Sequence, residues 1–505
     1  MTTLGRIMIS LLLCGLTVFS STSHTATSGF TLKTSVTCVG GGIDCGSVAP
    51  ITQTCKRNCI ITVQASPWTD WRFDHWGGGA SGSANPTTVR LTADTSVIAF
   101  FVKSTPPPPP PPPAVGREVI GYFIQWGIYG RDYLVKDVAV SGAANTLTVV
   151  NYAFAGIADN LTCSSLDTFA DWGKSFTASE SVDGVGDSVG QSLKGNFNQL
   201  RKLKAIYPQI RVVISIGGWS DSARFSDAAL AANRVKFVQS CVDMFIKGQF
   251  AAGVSGPGVF DGIDIDWEYP GACGATCSFR PEDKDNFTLL LQEFRTQLDA
   301  VSPGRLLTAA TPVAASYDNT MMDLQKISAV VDWLNLMSYD FHGSWEPNGP
   351  TNHHANLYPN AFDPSASKLS VDGAVSAYIG KGVPAARIAI GLPFYGHGWT
   401  RVPSPGLYQS AGGLPRGAWE RGIDDYKVLK AKGYPEYWDA VAYASWLYNG
   451  STFWSFDSPQ AVRNKMLYIS TKGLRGVMIW ELSGDDGTLT RAIADCLAGI
   501  DKCPS

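Results

Sequence analysis

Three carboxyl groups at alternate positions, Asp264, Asp266 and Glu268, lie in the segment Asp261-Gly262-Ile263-Asp264-Ile265-Asp266-Trp267-Glu268-Tyr269-Pro270. In an extended strand, alternate side chains share a face. The three acids would therefore point one way, and Ile263, Ile265 and Trp267 the other. The segment contains no Lys or Arg to neutralise them. Like charges crowded into apolar surroundings cannot all ionise, so at least one pKa must rise. A carboxyl that keeps its proton near neutrality is what general acid–base catalysis requires. Clustered carboxylates also suit magnesium or calcium, but the neighbouring strand ends offer Thr311, Tyr339 and Asp340 and no further carboxylate row. Catalysis without a metal or other cofactor is expected.

Such a row needs a sheet to hold it. Apolar runs of strand length recur from Val119 to Phe123, Leu147 to Tyr152, Ile210 to Ser215, Gly262 to Asp266, Leu306 to Ala310, Trp333 to Met337, Arg387 to Leu392 and Gly476 to Trp480. Segments of helical period fall between them, from Asn196 to Ile206, Ala228 to Lys247, Pro281 to Val301 and Pro459 to Thr471. The repeated unit predicts an α/β fold, a closed parallel (β/α)8 TIM barrel. No Gly-x-Gly-x-x-Gly follows a strand, which argues against an open dinucleotide-binding sheet. Barrels of this kind present their functional groups at the carboxyl ends of strands, where Glu268 falls. Residues 396–455, between the seventh and eighth strands, are too many for a loop and carry strand and helix signals of their own, predicting a small α+β insertion.

The chain has 505 residues, 40 basic and 43 acidic, for a formal charge of −3. That balance leaves no electrostatic footprint for nucleic acid or an anionic membrane. The apolar run from Ile7 to Phe19, flanked by Arg6 and by the small, polar Ser20 to Ala26, predicts a secretory signal peptide over residues 1–26. It is too short to span a bilayer. Removal of Cys14 with that peptide leaves ten of the 11 cysteines, an even number that favours disulfides in an exported chain. Cys273 with Cys277 and Cys496 with Cys503 are close enough to pair. Cys163 and Cys241 remain, as do Cys38, Cys45, Cys55 and Cys59 among themselves, with the connectivity open. Eight consecutive prolines, Pro106 to Pro113, predict a stiff spacer over 105–115 between a module at 27–104 and a catalytic domain at 116–505. Alternating stretches from Ile60 to Ala65, Thr88 to Thr92 and Ser96 to Val102 predict a small antiparallel all-β fold for the module. Its Trp68, Trp71 and Trp76 are expected in the core, with a sugar-stacking platform as the alternative.

The chain's 15 Trp, 18 Tyr and 23 Phe exceed what core filling demands and suit neutral ring-shaped ligands, of which sugars are the obvious class. Glycosidic hydrolysis normally places two carboxyls on opposite sides of the bond. Asp266 and Glu268 reach from one strand, so the nucleophile must come from elsewhere. The 2-acetamido oxygen of an N-acetylhexosamine can supply it. Asp261 to Glu268 resemble the D-x-x-D-x-D-x-E signature of family 18 glycoside hydrolases, a substrate-assisted family. Ser215-Ile-Gly-Gly-Trp219, Met337-Ser-Tyr-Asp340, Gly391-Leu-Pro-Phe-Tyr-Gly396 and Trp480-Glu-Leu-Ser-Gly-Asp485 also match, and the likeness runs from about Arg117 to Cys496. The segments Gly121 to Gly130 and Trp419-Glu-Arg-Gly resemble the bacterial subgroup with an insertion domain.

The resemblance implies that Glu268 is the general acid and base, that Asp266 orients the acetamido group and that Asp264 exchanges a proton with Asp266. It implies that Tyr339 bonds the acetamido oxygen, that Asp340 fixes the distorted sugar and that Trp480 is its floor. Met337, Tyr395 and Tyr122 would line the same pocket, and Trp219 and Trp345 would stack on the aglycone side. The expected protein is a secreted, monomeric chitinase acting on chitin and chitooligosaccharides. An endo-β-N-acetylglucosaminidase of N-glycans and a chitin-binding lectin are the alternatives.

Overall fold

The computed structural model describes residues 29–39, 45–56, 58–67, 71–103, 118–316, 321–499 and 503. The expected signal peptide, the proline spacer and Trp68 lie outside the described residues. The chain divides into two units within the proline run.

In the second unit, β1 (Glu118–Ile124), β2 (Val149–Ile157), β3 (Arg211–Gly217), β4 (Gly262–Asp266), β5 (Leu306–Pro312), β6 (Trp333–Met337), β7 (Ile388–Pro393) and β8 (Gly476–Trp480) pair in parallel in chain order, and β8 returns to β1. A helix follows each strand: α1 (Val135–Val140), α2 (Gly195–Ile206), α3 (Arg234–Cys241), α4 (Asp283–Val301), α5 (Leu324–Val330), α6 (Val371–Gly380), α7 (Pro459–Lys472) and α8 (Thr488–Leu497). The parallel (β/α)8 barrel closes as the repeat predicts. Strand alternation splits its packing into two cores. Ile263, Ile265 and Trp267 face the helix layer, where Trp267 stacks on Phe225 at 5.3 Å. Ile120, Val213, Trp333 and Met478 fill the barrel itself.

Local signals explain the best-defined helix. Ser458 caps α7, Pro459 takes its first turn, and Gly473 ends it at φ 64°, a conformation that costs glycine little. The expected helix from Ala228 to Lys247 is interrupted. A short turn (Phe225–Ala228) precedes α3, and the Asn233 side chain donates to the Asp227 carbonyl at 2.9 Å across the break. A wide turn, Val242–Ile246, continues α3.

Between β7 and β8 lies a five-stranded antiparallel sheet in the order Ile423–Asp425, Tyr395–Trp399, Phe453–Phe456, Ala444–Tyr448, Glu436–Asp439, with one short helix, Tyr426–Ala431. Two buried ion pairs tie it to the barrel. Arg131, beyond β1, lies 2.8 Å from Asp425 and 3.3 Å from Glu481. Lys465 on α7 lies 2.5 Å from Asp457, with side-chain exposures of 0% and 2%.

The first unit has two sheets on one core. One runs Thr52–Cys55, Phe30–Val39, Thr95–Lys103, Trp71–Gly78, and the other Gly46–Ala49, Ile60–Pro67, Thr87–Arg90. The all-β class holds, but the expected purely antiparallel pairing does not: Phe30–Val39 runs parallel to Thr95–Lys103. The first and last strands can lie side by side in one direction because the chain between them crosses to the second sheet. Trp76 is a core residue, 2% exposed, and its indole N–H donates to the Ala84 carbonyl at 2.9 Å. Trp71 is half-buried. The cysteines pair as Cys38–Cys45, Cys55–Cys59, Cys163–Cys241, Cys273–Cys277 and Cys496–Cys503. Among the described residues, no helix is long and apolar enough to cross a membrane.

Lys465→Ala should leave Asp457 buried and unpaired, lowering stability by about 3–5 kcal/mol in urea titrations. The double variant Lys465→Met, Asp457→Leu should recover most of the loss. A single variant as stable as the parent would show that the pair carries none of this load.

Candidate active site

The carboxylate row rises along β4 from the barrel core toward its open end. Asp264 is fully buried, Asp266 is 5% exposed, and Glu268, two residues beyond the strand, is half-buried. Register supplies partners for the deepest acid. Ser215 and Thr308 sit directly across from Asp264 on β3 and β5. The Ser215 hydroxyl donates to Oδ2 at 2.7 Å and that of Thr308 to Oδ1 at 2.5 Å. Tyr122 from β1 donates to Oδ2 at 2.8 Å and the Asn335 amide from β6 to Oδ1 at 3.1 Å. The Trp333 indole bonds Asn335 Oδ1 at 2.9 Å and so turns that amide toward Asp264. Burial raises the Asp264 pKa, and the four donors oppose the rise.

Asp266 has no such support. Its Oδ1 is buried without a hydrogen-bond partner among the described residues. Burial, then the charges of Glu268 and Asp264, push its pKa well above the carboxylate range. Burial raises Glu268 to about 7, opposed by a hydrogen bond from Tyr269 and reinforced by Asp340. Among the described residues no Lys, Arg or His pairs with any of the three.

Close backbone approach keeps β3 beside this row. Gly218 donates to the Asp266 carbonyl at 2.8 Å. Gly217 and Gly218 have φ of 111° and 84°, and an added Cβ would lie 2.3 Å from that carbonyl or 2.7 Å from the Phe154 ring. Both positions of the Gly-Gly pair thus exclude a side chain.

Asp340, just beyond β6, behaves oppositely. Its Oδ1 accepts from the Tyr395 hydroxyl at 2.6 Å and from His397 Nε2 at 2.8 Å. Although burial raises its pKa, His354 and His397 outweigh that and hold the carboxyl well below the usual range. Burial lowers His354 to about 4.

Trp480 ends β8, with Tyr122 edge-on at 5.4 Å and Phe154 stacked at 5.7 Å. Met337, Tyr339 and Trp480 pack together on the inner core. Among the described residues the Tyr339 hydroxyl has only the Met478 sulfur, at 3.8 Å. Trp219 and Trp345 stand on exposed positions, 55% and 57%, with their rings near Tyr269 and His397. Tyr122 is only 2% exposed and spends its hydroxyl on Asp264, so it supports the site from beneath instead of lining it. Phe154, Thr308, Asn335, His354 and His397 were not anticipated. Each is brought in by register or by the insertion, and no local motif announces it.

A parallel barrel with an acid row at one strand end and aromatic rings around it is the architecture of a glycoside hydrolase. Residues 118–485 match the family model "Glycosyl hydrolases family 18". The chain belongs to that family. It is 41% identical over 440 residues to chitinase C of Streptomyces lividans, covering 84% of this chain and 67% of that protein. It is 40% identical over 389 residues to chitinase 63 of Streptomyces plicatus, covering 75% and 60% respectively. The chain thus spans about three-fifths to two-thirds of those relatives' length. The catalytic domain of psychrophilic chitinase B from Arthrobacter TAD20 superposes with a TM-score of 0.72 at 38% identity, covering 76% of this chain and 95% of that one.

Folded Glu268 keeps its proton to about 7, whereas an unfolded glutamate loses it near ~4.3. The folded state therefore binds more protons between these values, and this group's contribution to stability falls as pH rises through them. Glu268→Gln should raise the melting temperature at about pH 8 and change it little near about pH 4. Calorimetry at both pH values checks this. An equal shift at both would show that ionisation is not the cause.

Proposed function

We propose that this chain is a secreted chitinase that hydrolyses β-1,4-linked N-acetylglucosamine polymers with retention, the substrate's 2-acetamido oxygen acting as nucleophile. The observation that carries this reading is the orphaned Oδ1 of Asp266 beside a Glu268 whose pKa lies near neutrality. A buried acceptor without a donor suits an incoming N–H. Asp340, the carboxylate at the end of β6, is committed to Tyr395 and His397 and is a poor second nucleophile. The likeness to the two Streptomyces chitinases supports the choice of polymer.

Glu268 protonates the glycosidic oxygen, and the bond to the anomeric carbon breaks as the acetamido oxygen closes on it. Asp266 accepts the acetamido N–H. The positive charge growing on that nitrogen draws Asp266 toward its ionised form as Glu268 gives up its proton. Proton exchange between Asp264 and Asp266 requires Asp266 to turn inward, since among the described residues no hydrogen bond links the two acids. Tyr339, whose hydroxyl has only a weak sulfur partner, is free to bond the acetamido oxygen. Trp480, braced by Phe154, forms the sugar's floor, and Asp340 holds its distorted ring. Met337 and Tyr395 line the pocket, with Trp219 and Trp345 on the aglycone side. Glu268, now anionic, takes a proton from water, whose oxygen attacks the anomeric carbon; the bond to the acetamido oxygen breaks, the five-membered oxazolinium ring opens and the β configuration is restored.

Proton NMR of a freshly started chitooligosaccharide digest should show β-anomer product first, and fully deacetylated chitosan should stay intact. Glu268→Gln should lower turnover by roughly a hundredfold or more. Initial α-anomer or cleavage of the deacetylated polymer would mean that another carboxylate is the nucleophile.

Residues 1–26 are proposed to direct export, 27–104 to form a small β-rich module of carbohydrate-binding type, 105–115 a spacer and 116–505 the catalytic domain with its insertion at 396–455. Every residue given a role in the cleft above lies between 122 and 480. Removal of 27–113 should leave oligomer turnover nearly unchanged and reduce adsorption to insoluble chitin. Lost oligomer turnover in the truncated, folded protein would place the module in the cleft.

A further inference from the structure

Beyond the end of β6, three ligand-type side chains meet, and the hydrolytic reading uses only one of them. Behind Asp340 lie His354, fully buried, and His397, 2% exposed. His397 sits on Tyr395–Trp399, opposite Ile423 on one side and Ser455 on the other. The backbone of His354 is pinned at both ends: its N–H donates to Ser455 Oγ at 2.9 Å, and its carbonyl accepts from Phe341 at 3.0 Å. Nε2 of His397 lies 2.8 Å and Nδ1 of His354 3.7 Å from Asp340 Oδ1. One ligand atom from each residue falls within 4.8 Å of the other two.

Hydrogen bonding accounts for one of the four ring nitrogens, Nε2 of His397, which donates to Asp340. Neither ring nitrogen of His354, nor Nδ1 of His397, has a hydrogen-bond partner among the described residues. Their close neighbours include the rings of Tyr395 and Trp345, at 5.4 Å in each case. Buried polar groups are ordinarily matched, and an unmatched one calls for a ligand. Two imidazoles and one carboxylate from three separate segments make the donor set that selects zinc-class ions over magnesium or calcium. Asp340 is exposed, which gives an ion a way in and leaves a coordination position for water.

We propose that Asp340, His354 and His397 form a binding site for a divalent transition metal of zinc's class, and that its occupation silences the cleft. Side-chain rotation draws the three ligand atoms, which lie within 4.8 Å of one another, onto an ion. Its bond to Oδ1 replaces those from Tyr395 and His397 and fixes Asp340 away from the sugar. This second half rests on the sugar-holding role given to Asp340 above; the first half does not.

Calorimetric titration of the chelator-stripped full chain with zinc chloride should show about one saturable equivalent, with no comparable heat from magnesium chloride. His354→Gln and His397→Gln should each weaken zinc binding by roughly tenfold or more, with melting curves in EDTA reporting whether each variant folds. Cobalt(II) added to the unmodified chain should give the intense visible bands of a four- or five-coordinate site, a readout that needs no variant. No zinc binding, zinc binding unchanged in both folded variants, or only the pale spectrum of hydrated cobalt would overturn the site. Oligosaccharide turnover should fall in step with zinc occupancy. Saturation with turnover intact would overturn the silencing and leave the binding site standing.

Discussion

A carboxyl group at the centre of a barrel core is the constraint on which the rest of this site depends. Asp264 is fully buried, and several kcal/mol of desolvation would oppose its charge without compensation. Compensation comes from four neutral donors on four other strands, Tyr122, Ser215, Thr308 and Asn335, and among the described residues from no cation. Each donor is correctly placed only when the barrel is closed and in register. The acid therefore has a place only in the completed barrel, and the register that satisfies it also aligns every strand end around the cleft.

Once Asp264 is satisfied, the burden passes along the strand. Asp266 gains none of those donors, so burial first, and then the charges of Glu268 and Asp264, push its pKa well above the ordinary carboxylate value. Glu268 stands closer to solvent and settles near neutrality. Three residues of similar chemistry thus acquire different proton affinities from their different depths along β4 and from the different donors each meets there. Environment, not residue type, separates the acid that can give up a proton from the one that receives an N–H.

Across the cleft the same reasoning gives the opposite sign. Asp340 is drawn below the carboxylate range by the two histidines behind it. One of them, His397, belongs to the inserted sheet, and His354 is held to that sheet through Ser455. The insertion is in turn tied to the barrel through Arg131 and Lys465. The inserted sheet thereby helps to keep a carboxylate at the end of β6 ionised.

Local periodicity made the eight strands, the shared face of Asp264, Asp266 and Glu268, and the start and stop of α7 legible in the sequence. Each of these depends only on residues a few positions apart, so the alternation of a strand or a Ser-Pro start is sufficient. The motif residues around Trp480, Tyr339 and Asp340 were legible by another route, the resemblance of short contiguous segments to family 18 glycoside hydrolases. The donors to Asp264 were not, because Tyr122 and Asn335 lie far from it in sequence and meet it only across the barrel. Nor were His354 and His397, the burial of Tyr122, or the parallel pairing in the first unit, since all of these are set by which chain segments come to lie side by side. Short-range pattern decided which groups face the cleft. Their protonation, their partners and the company they keep were decided by long-range packing, because desolvation and hydrogen bonding depend on whatever surrounds a group in space.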